Sequence, residues 1–485
     1  MKRANLGRQA KIVATLGPAS SSVAMIAALI DAGMNVARIN MSHGTHDGHA
    51  ALIKNIREAS RQTGLEVAIL IDLQGPKIRV DELPAPLQLQ KGETWAVGTA
   101  KARDDCPEYQ DHFIPTTYER LASDCRHGDR ILFNDGAITA RVINCRNNLC
   151  EIKVEIGGRL TSHKGINLPD SIVTASSFTN KDQQDLAFGL EHQIDYVALS
   201  FVRKKEDVLQ VRKTINQLGK SIPLVAKIEN PEGIKNIQEI IEAADVIMVA
   251  RGDMGVEVGN HLVPTIQKQI INRCNRQGTP VITATQMLES MVESPAPTRA
   301  EASDVANAIW DGTDAVMLSA ETAAGKYPLE AIRMMGQIIS EAEKTPKKRP
   351  SLRNLDLTRV DDAIMLAASL LAEKIGAKRI LAVSESGNSC RRITRFRPRV
   401  SILGISHRLE IVRRMCLYWG VSPFFLRDYH QDHPDLESYV INEVRERCQL
   451  HDGDKIVITR GSGRFFASGS ANSVRVETLG LSPTT

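Results

Sequence analysis

The apolar positions of this chain fall into short β-branched runs separated by stretches with helical spacing, and between residues 11 and 72 the two kinds strictly alternate. The pattern predicts strands at 12–15, 36–41 and 67–72 and helices at 20–33 and 46–61, an alternation that implies parallel pairing. The rhythm stops at Gly75-Pro76 and resumes near Asn180. Between them lie short alternating segments, such as 130–133 before Asn134-Asp135-Gly136 and 149–156 before Gly157-Gly158, which predict a small antiparallel β-barrel inserted in the parent fold. Strands at 196–201, 224–228, 246–249, 281–285 and 315–319 then alternate with helices at 181–192, 206–218, 232–243, 263–276, 299–310 and 328–343. Together with the first part this makes about eight strand-helix units, enough to close a parallel (β/α)8 barrel of the TIM type. A charged, proline-bounded linker at 345–350 leads to a helix at 361–374 and strands at 379–383, 401–404, 423–426, 455–459 and 474–478, the outline of a doubly wound α/β domain. The expected organisation is a barrel over 1–74 and 171–345, an inserted β-barrel lid over 75–170 and a C-terminal α/β domain over 346–485.

A length of 485 residues suits about three domains. The 61 basic and 57 acidic residues leave a formal charge of +4, which gives no general attraction to nucleic acid or membrane. No apolar run approaches the ~18 residues that span a bilayer, and the first nine residues are polar, so a soluble, cytoplasmic protein is expected. The eight cysteines contain no CxxC pair and read as reduced thiols rather than a zinc site or a disulfide framework. Trp310, Trp419, Met287 and Met291 read as core or interface packing.

Side chains alternate along a strand, so Lys227 and Glu229 leave the same face of the run 223–229. The next strand ends in Arg251-Gly252-Asp253, which brings a second carboxylate beside the first if the two strands are neighbours. Two carboxylates and a lysine at adjacent strand ends suit a hard divalent ion with an anionic substrate; the bland alternative is a structural salt bridge. Arg38, Asn40 and Ser42 share a face at the end of the second strand, with His43-Gly44 turning after them, and suit a phosphate and an ion. Asp72 ends the third strand, and Lys77 and Arg79 follow across Gly75-Pro76, where they would clamp a polyphosphate or merely be solvated. Thr283 and Thr285 place two hydroxyls on one face of the strand, although threonine also simply fits strands. In the last domain, Ser384, Ser386, Gly387 and Ser389 form a strand-to-helix turn that either binds an anion, closed over by Gly461-Ser462-Gly463, or only caps the helix.

The segments AKIVATLGPAS, ARINMSHG, DLQGPKIR, KGINLP, AKIEN, VARGDMGVE, ITATQMLESM, PTRAEASDVANA and DGTDAVMLSAETAAGKYP, spread from Ala10 to Pro328, resemble those of the pyruvate kinases, in the same order. The resemblance implies a barrel with an inserted lid and a regulatory C-terminal domain, usually as a homotetramer. It implies that Glu229 and Asp253 hold Mg2+ or Mn2+, and that Arg38 contacts phosphoenolpyruvate and nucleotide phosphate. Lys227 would stabilise the phosphoryl group in flight and the enolate left behind. Gly252, Asp253 and Thr285 would seat the substrate carboxylate, and Asn40, His43, Arg79 and Lys164 would line the ADP/ATP side. The product would be pyruvate, and phosphoryl transfer asks a protein mainly for positioning and countercharge.

Two departures stand out. Many members read Asp-Thr-Lys-Gly-Pro-Glu-Ile-Arg where this chain has Leu73, Gln74 and Lys77, and they hold potassium with Asn, Ser, Asp and Thr ligands. An ammonium on Lys77 would supply that positive charge, leaving Asn40, Ser42 and Asp72 to order substrate and loop, so potassium is expected not to be required. Asn388 stands where many members have a basic residue, which leaves a sugar phosphate or a nucleotide as the expected effector. The rival readings are a metal-dependent aldolase of pyruvate and a catalytically silent effector sensor.

Overall fold

The computed structural model describes residues 7–104, 109, 112–146, 148–345, 357–427, 429–430, 435–461, 466 and 471–480. The chain lays down β1 (Lys11–Thr15), β2 (Val36–Asn40) and β3 (Ala68–Asp72). It then leaves for an inserted domain of β4 (Leu87–Leu89), β5 (Thr94–Gly98), β6 (Phe113–Pro115), β7 (Arg130–Phe133), β8 (Ile138–Arg146), β9 (Leu149–Ile156), β10 (Gly158–Leu160) and β11 (Ile166–Asn167). It returns for β12 (Tyr196–Leu199), β13 (Leu224–Ile228), β14 (Val246–Ala250), β15 (Val281–Ala284) and β16 (Ala315–Leu318). The eight parallel strands of the two parts close in the order β1-β16-β15-β14-β13-β12-β3-β2.

Two buried clusters show how alternation builds this barrel. Ile12, Ile39, Ile71, Val197, Ile228 and Val249 pack with helix residues such as Ile26, Ile56 and Ile240. Val13, Val36, Leu70, Ala198, Val225, Met248 and Ile282 face the barrel lumen and belong to a separate cluster, which continues into the C-terminal domain through residues such as Met365, Ile380 and Val421. Two residues beyond a lumen residue comes Thr15 after Val13, Arg38 after Val36, Asp72 after Leu70, Ser200 after Ala198 and Lys227 after Val225. The polar groups at the C-terminal mouth therefore point inward because the apolar residues beneath them do.

The chain leaves the barrel at Gly75, whose φ of +68° is left-handed and where an added Cβ would lie 3.0 Å from the Ser200 side chain, so only glycine fits. The inserted domain is a curled six-stranded sheet, β11-β7-β8-β9-β5-β6, with β10 and β4 as a separate pair. One neighbouring pair, β5 and β6, is parallel rather than antiparallel, because the connection between them is long enough to cross over and carries the helix Ala100–Asp104.

After the barrel come β17 (Arg379–Val383), β18 (Ile402–Ser406), β19 (Val421–Phe425), β20 (Lys455–Arg460) and β21 (Ser473–Thr478). They order as β19-β18-β17-β20-β21, with β21 antiparallel at the edge. This domain is tied to the barrel by the Arg397–Asp314 ion pair at 2.8 Å, by the Lys11 ammonium donating to the Val421 carbonyl, and by the Tyr196 hydroxyl donating to the Arg414 carbonyl. The expected linker at 345–350 lies beyond Thr345 outside the described residues.

Strand and helix ends differ from the expected ones by one or two residues at most positions, and the helix expected over 232–243 is broken at Asn236, whose side chain turns to donate to the Arg203 carbonyl. A correction concerns the cysteines. Cys145 and Cys150 face each other across the β8–β9 hairpin and form a disulfide, so they are not reduced thiols in this structure. Their pairing depends on strand register, which a search for CxxC does not detect. Trp419, Met287 and Met291 are buried, whereas Trp310 is half exposed, with its indole N–H donating to the Ala342 carbonyl. Among the described residues no helix is long and apolar enough to cross a membrane.

Candidate functional site

Three strand ends converge on the Lys227 ammonium. It lies 2.9 Å from Glu229 Oε1 and 3.2 Å from Asp72 Oδ1, and donates to the Ser200 hydroxyl at 2.7 Å. Asp72 is held in turn by Arg38 through Nε at 2.8 Å and Nη2 at 2.7 Å, while Arg38 Nη1 donates to the Thr15 hydroxyl. Asn40 stands opposite Asp72 in the β2–β3 register, which brings Arg38, Asn40 and Asp72 to one corner of the mouth. Burial alone would lower the pKa of Lys227, but Asp72 and Glu229 outweigh it and keep the group above the ordinary lysine value. Burial would raise that of Asp72, but Lys227 and Arg38 outweigh it and hold the carboxyl low. The result is a fixed ammonium at the barrel mouth, charged at any physiological pH.

Glu229 is buried, and its carboxyl sits above the ordinary range, raised by burial and by Asp253 against the pull of Lys227. Its Oε2 accepts the Phe201 N–H at 2.8 Å. Its Oε1 has the ammonium beside it but no aligned hydrogen-bond donor, so a lone pair there is unused. β13 and β14 are neighbours, with Ile228 opposite Val249, so the two acidic segments are adjacent.

β14 runs directly into a helix, Arg251–Val258, which presents the exposed Asp253 in its first turn. Two glycines in eight residues hide that helix from a propensity reading. A buried carboxylate, Glu229, and an exposed one nearby, Asp253, fit a hard divalent cation that completes its shell with substrate oxygens and water.

Thr285 reaches the same place by a route that alternation does not describe. Thr283 lies between the lumen residues Ile282 and Ala284, faces outward and donates to the Thr313 hydroxyl, so the two threonines do not share a face. β15 ends at Ala284, and a left-handed φ of +66° turns Thr285 so that its hydroxyl accepts the Gly252 N–H at 2.8 Å. An added Cβ at Gly252 would lie 3.4 Å from that hydroxyl, so a side chain there would crowd the contact. Arg251, which was not anticipated, holds this arrangement: it donates to the carbonyls of Ala284 and Thr285 and pairs with Asp304 at 2.7 Å. Ser200 was likewise overlooked; its signal is a hydroxyl two residues past lumen-facing Ala198.

On the side of the inserted domain, Arg79 bridges Gly165 and the Val80 N–H donates to the Lys164 carbonyl, which brings Arg79 and Lys164 together at the two hinge strands. Arg79 Nε is buried without a hydrogen-bond partner among the described residues, and the Lys164 side chain is exposed. Asn40 Oδ1 accepts the Ser42 N–H, and His43 follows, exposed, at the same turn. Lys77 is exposed and makes no ion pair among the described residues; the cations that touch Asp72 are Arg38 and Lys227.

In the last domain the Ser384 hydroxyl accepts the Gly387 N–H and the Ser386 hydroxyl accepts the Asn388 N–H. The loop thus caps its own helix, Asn388–Thr394, with Ser389 in the first turn. Ser462 and Gly463 lie outside the described residues.

A third carboxyl, Glu257, lies four residues beyond Asp253. Burial first, then Asp253 and Glu229, push it up to about 7, against a hydrogen bond from Asn167 of the inserted domain.

Comparison with known proteins gives one answer along the chain. The family described as "Pyruvate kinase, barrel domain" matches residues 7–332, and "Pyruvate kinase, alpha/beta domain" matches residues 362–477. "Pyruvate kinase 2" of Synechocystis sp. is 41% identical over 99% of this chain and 80% of its own length. A "Pyruvate kinase" of Staphylococcus aureus is 42% identical over 98% of this chain and 81% of its own. A crystal structure of a pyruvate kinase from Cryptosporidium parvum superposes with a TM-score of 0.90 at 32% identity, covering 99% of this chain and 97% of that one.

Proposed function

The chain belongs to the pyruvate kinase family, and from that premise we propose that it transfers the phosphoryl group of phosphoenolpyruvate to ADP at the mouth of its barrel, giving ATP and pyruvate in the glycolytic reaction. The observation that supports this most directly is the buried Lys227 ammonium, held by Asp72, Glu229 and Ser200 at the C-terminal mouth of the barrel.

Glu229 and Asp253 would hold Mg2+ or Mn2+, which when bound supplies Lewis acidity and countercharge at the substrate oxygens. The Gly252 and Asp253 amides and the Thr285 hydroxyl bind the substrate carboxylate at the positive end of the helix. Arg38 turns its guanidinium to the phosphoryl oxygens, and Lys227 carries the positive charge that faces them and the enolate oxygen as negative charge moves. No side chain acts as a nucleophile; the fold supplies alignment and charge. Asn40, His43, Arg79 and Lys164 line the nucleotide side, with the inserted domain as lid. The test is a coupled assay for pyruvate with phosphoenolpyruvate, ADP and Mg2+: steady turnover is expected, and its absence ends the proposal.

The same assay tests the cation requirement. The exposed Lys77 stands at the hinge five residues after Asp72 and has no carboxylate partner among the described residues, so its ammonium is available as the monovalent charge. Turnover is expected to be equal in potassium and in a bulky organic-cation buffer, and a large loss without potassium would refute this role. We read the Ser384–Ser389 loop as the site of a phosphorylated sugar or nucleotide activator in a cytoplasmic homotetramer. Substrate cooperativity unchanged by any such compound, or a monomer in sedimentation, would remove those two assignments.

A further inference from the structure

The inserted domain touches the barrel at one element that the reaction depends on, the helix Arg251–Val258. Its first turn offers Gly252 and Asp253 to the substrate site, and its last turn offers Val256 and Glu257 to the inserted domain. There the Asn167 side-chain amide, at the end of β11, donates to Glu257 Oε1 at 2.8 Å. Beside it the Asn134–Gly136 turn rests on Val256, 3.6 Å from where a Cβ at Gly136 would be. These two contacts belong to one rigid corner, because β11 pairs with β7 at Ile166–Phe133 and Asn167–Leu132, and the Asn134 N–H donates to the Gly165 carbonyl. Gly165 in turn bridges Arg79 on the outgoing hinge strand. One short path therefore runs from the helix that carries Asp253, through Glu257 and Asn167, to Arg79 and Lys164.

Glu257 is buried, and among the described residues its side chain takes its hydrogen bond from the other domain. A carboxyl buried at an interface loses its solvation there, and the bond from Asn167 compensates only while the two domains are together. Opening the domain breaks the bond.

We propose that Glu257 is a positioning residue whose hydrogen bond with Asn167 latches the inserted domain onto the Asp253-bearing helix and so sets the closed position of the nucleotide-binding side. The proposal rests on the reading of the inserted domain as the lid of a phosphoenolpyruvate:ADP transferase. The latch touches neither substrate nor reacting atoms.

The test compares Asn167→Ala, Glu257→Ala, the double variant and Glu257→Gln in the full-length enzyme. Loss of a buried bond to a carboxyl corresponds to roughly a tenfold or greater shift in a two-state equilibrium. Each alanine variant is expected to raise the KM for ADP about tenfold with kcat changed less than threefold. The double variant should match the singles, since both remove the same bond. Glu257→Gln keeps the accepting oxygen and is expected to stay within about twofold of wild type, which a role in charge alone would not predict. Additive effects, an unchanged KM for ADP in Asn167→Ala, or a Glu257→Gln variant as impaired as Glu257→Ala would each overturn the latch.

Amide hydrogen exchange provides a readout independent of activity. Residues 162–168 should exchange faster in both alanine variants, and equal exchange would also overturn the proposal. A wild type without turnover but with this exchange difference would refute the assigned reaction and leave the latch standing.

Discussion

Replacing Lys227 with methionine is expected to lower kcat by about 10²- to 10³-fold, the usual loss when one preorganised charge that meets a developing anion is removed. The ammonium is the one cation at the mouth shared by both Asp72 and Glu229. Methionine matches its length but leaves nothing to face the phosphoryl oxygens. The substitution should also cost stability. The folded-state pKa of Lys227 lies above the ordinary value, so the charge contributes stability that is fully present below the unfolded pKa and disappears only as pH rises through the folded one. At neutral pH that contribution is lost completely in the variant.

Asp72 keeps Arg38, but Glu229 keeps only the Phe201 N–H, and a buried carboxylate stripped of its cation typically costs about 3–5 kcal/mol. A lower Tm is therefore expected together with the lower kcat. The two are separated by measuring turnover well below the Tm of the variant, with circular dichroism confirming the fold. Turnover within a few-fold of wild type in folded protein would remove Lys227 from the chemistry.

What alternation reveals and what it hides follow from the same geometry. Arg38, Asp72, Lys227 and Glu229 were legible because each continues an inward-facing series on a regular strand, so counting by two from a lumen residue lands on it. The eightfold repeat was legible for the same reason, as every strand is an apolar run bounded by a helical period. Thr285 defeats the count because its left-handed backbone reverses the side chain just after the strand ends. The helix that carries Asp253 was hidden by its glycines, and Arg251 with it, since its value lies in carbonyls that converge only once that helix forms. Glu257 and Asn167 are 90 residues apart and meet across two domains, and the Cys145–Cys150 pair depends on hairpin register. Contacts set by tertiary approach leave no periodic trace in the chain. The separate sheet of β4 and β10 is of this kind too, because pairing across a long excursion is decided by the folded partners.

Asp253→Asn is expected to do the opposite of Lys227→Met on stability while also abolishing most activity. Asp253 is exposed in the first turn of its helix, and its charge acts on Glu229 by raising that carboxyl further. A carboxyl whose folded pKa is raised destabilises the fold as pH climbs through the unfolded value, because ionisation is then harder in the native state than in the unfolded chain. Removing the neighbouring negative charge eases this, so the Tm at neutral pH should be unchanged or slightly higher. At the proposed site the divalent ion, in contrast, would lose one of its two protein carboxylates. Even outer-shell partners of metal ligands cost about 10- to 100-fold in affinity when removed, so a direct ligand should cost at least as much. Mn2+ binding to the free enzyme, followed by its paramagnetic signal, is expected to weaken at least tenfold, and kcat at fixed Mg2+ to fall in step. A variant that melts above wild type but no longer binds Mn2+ would show that the two carboxylates stand together at a cost to the fold, as expected of a site kept for its ligand. Unchanged Mn2+ affinity would place the metal elsewhere and take Asp253 out of the site.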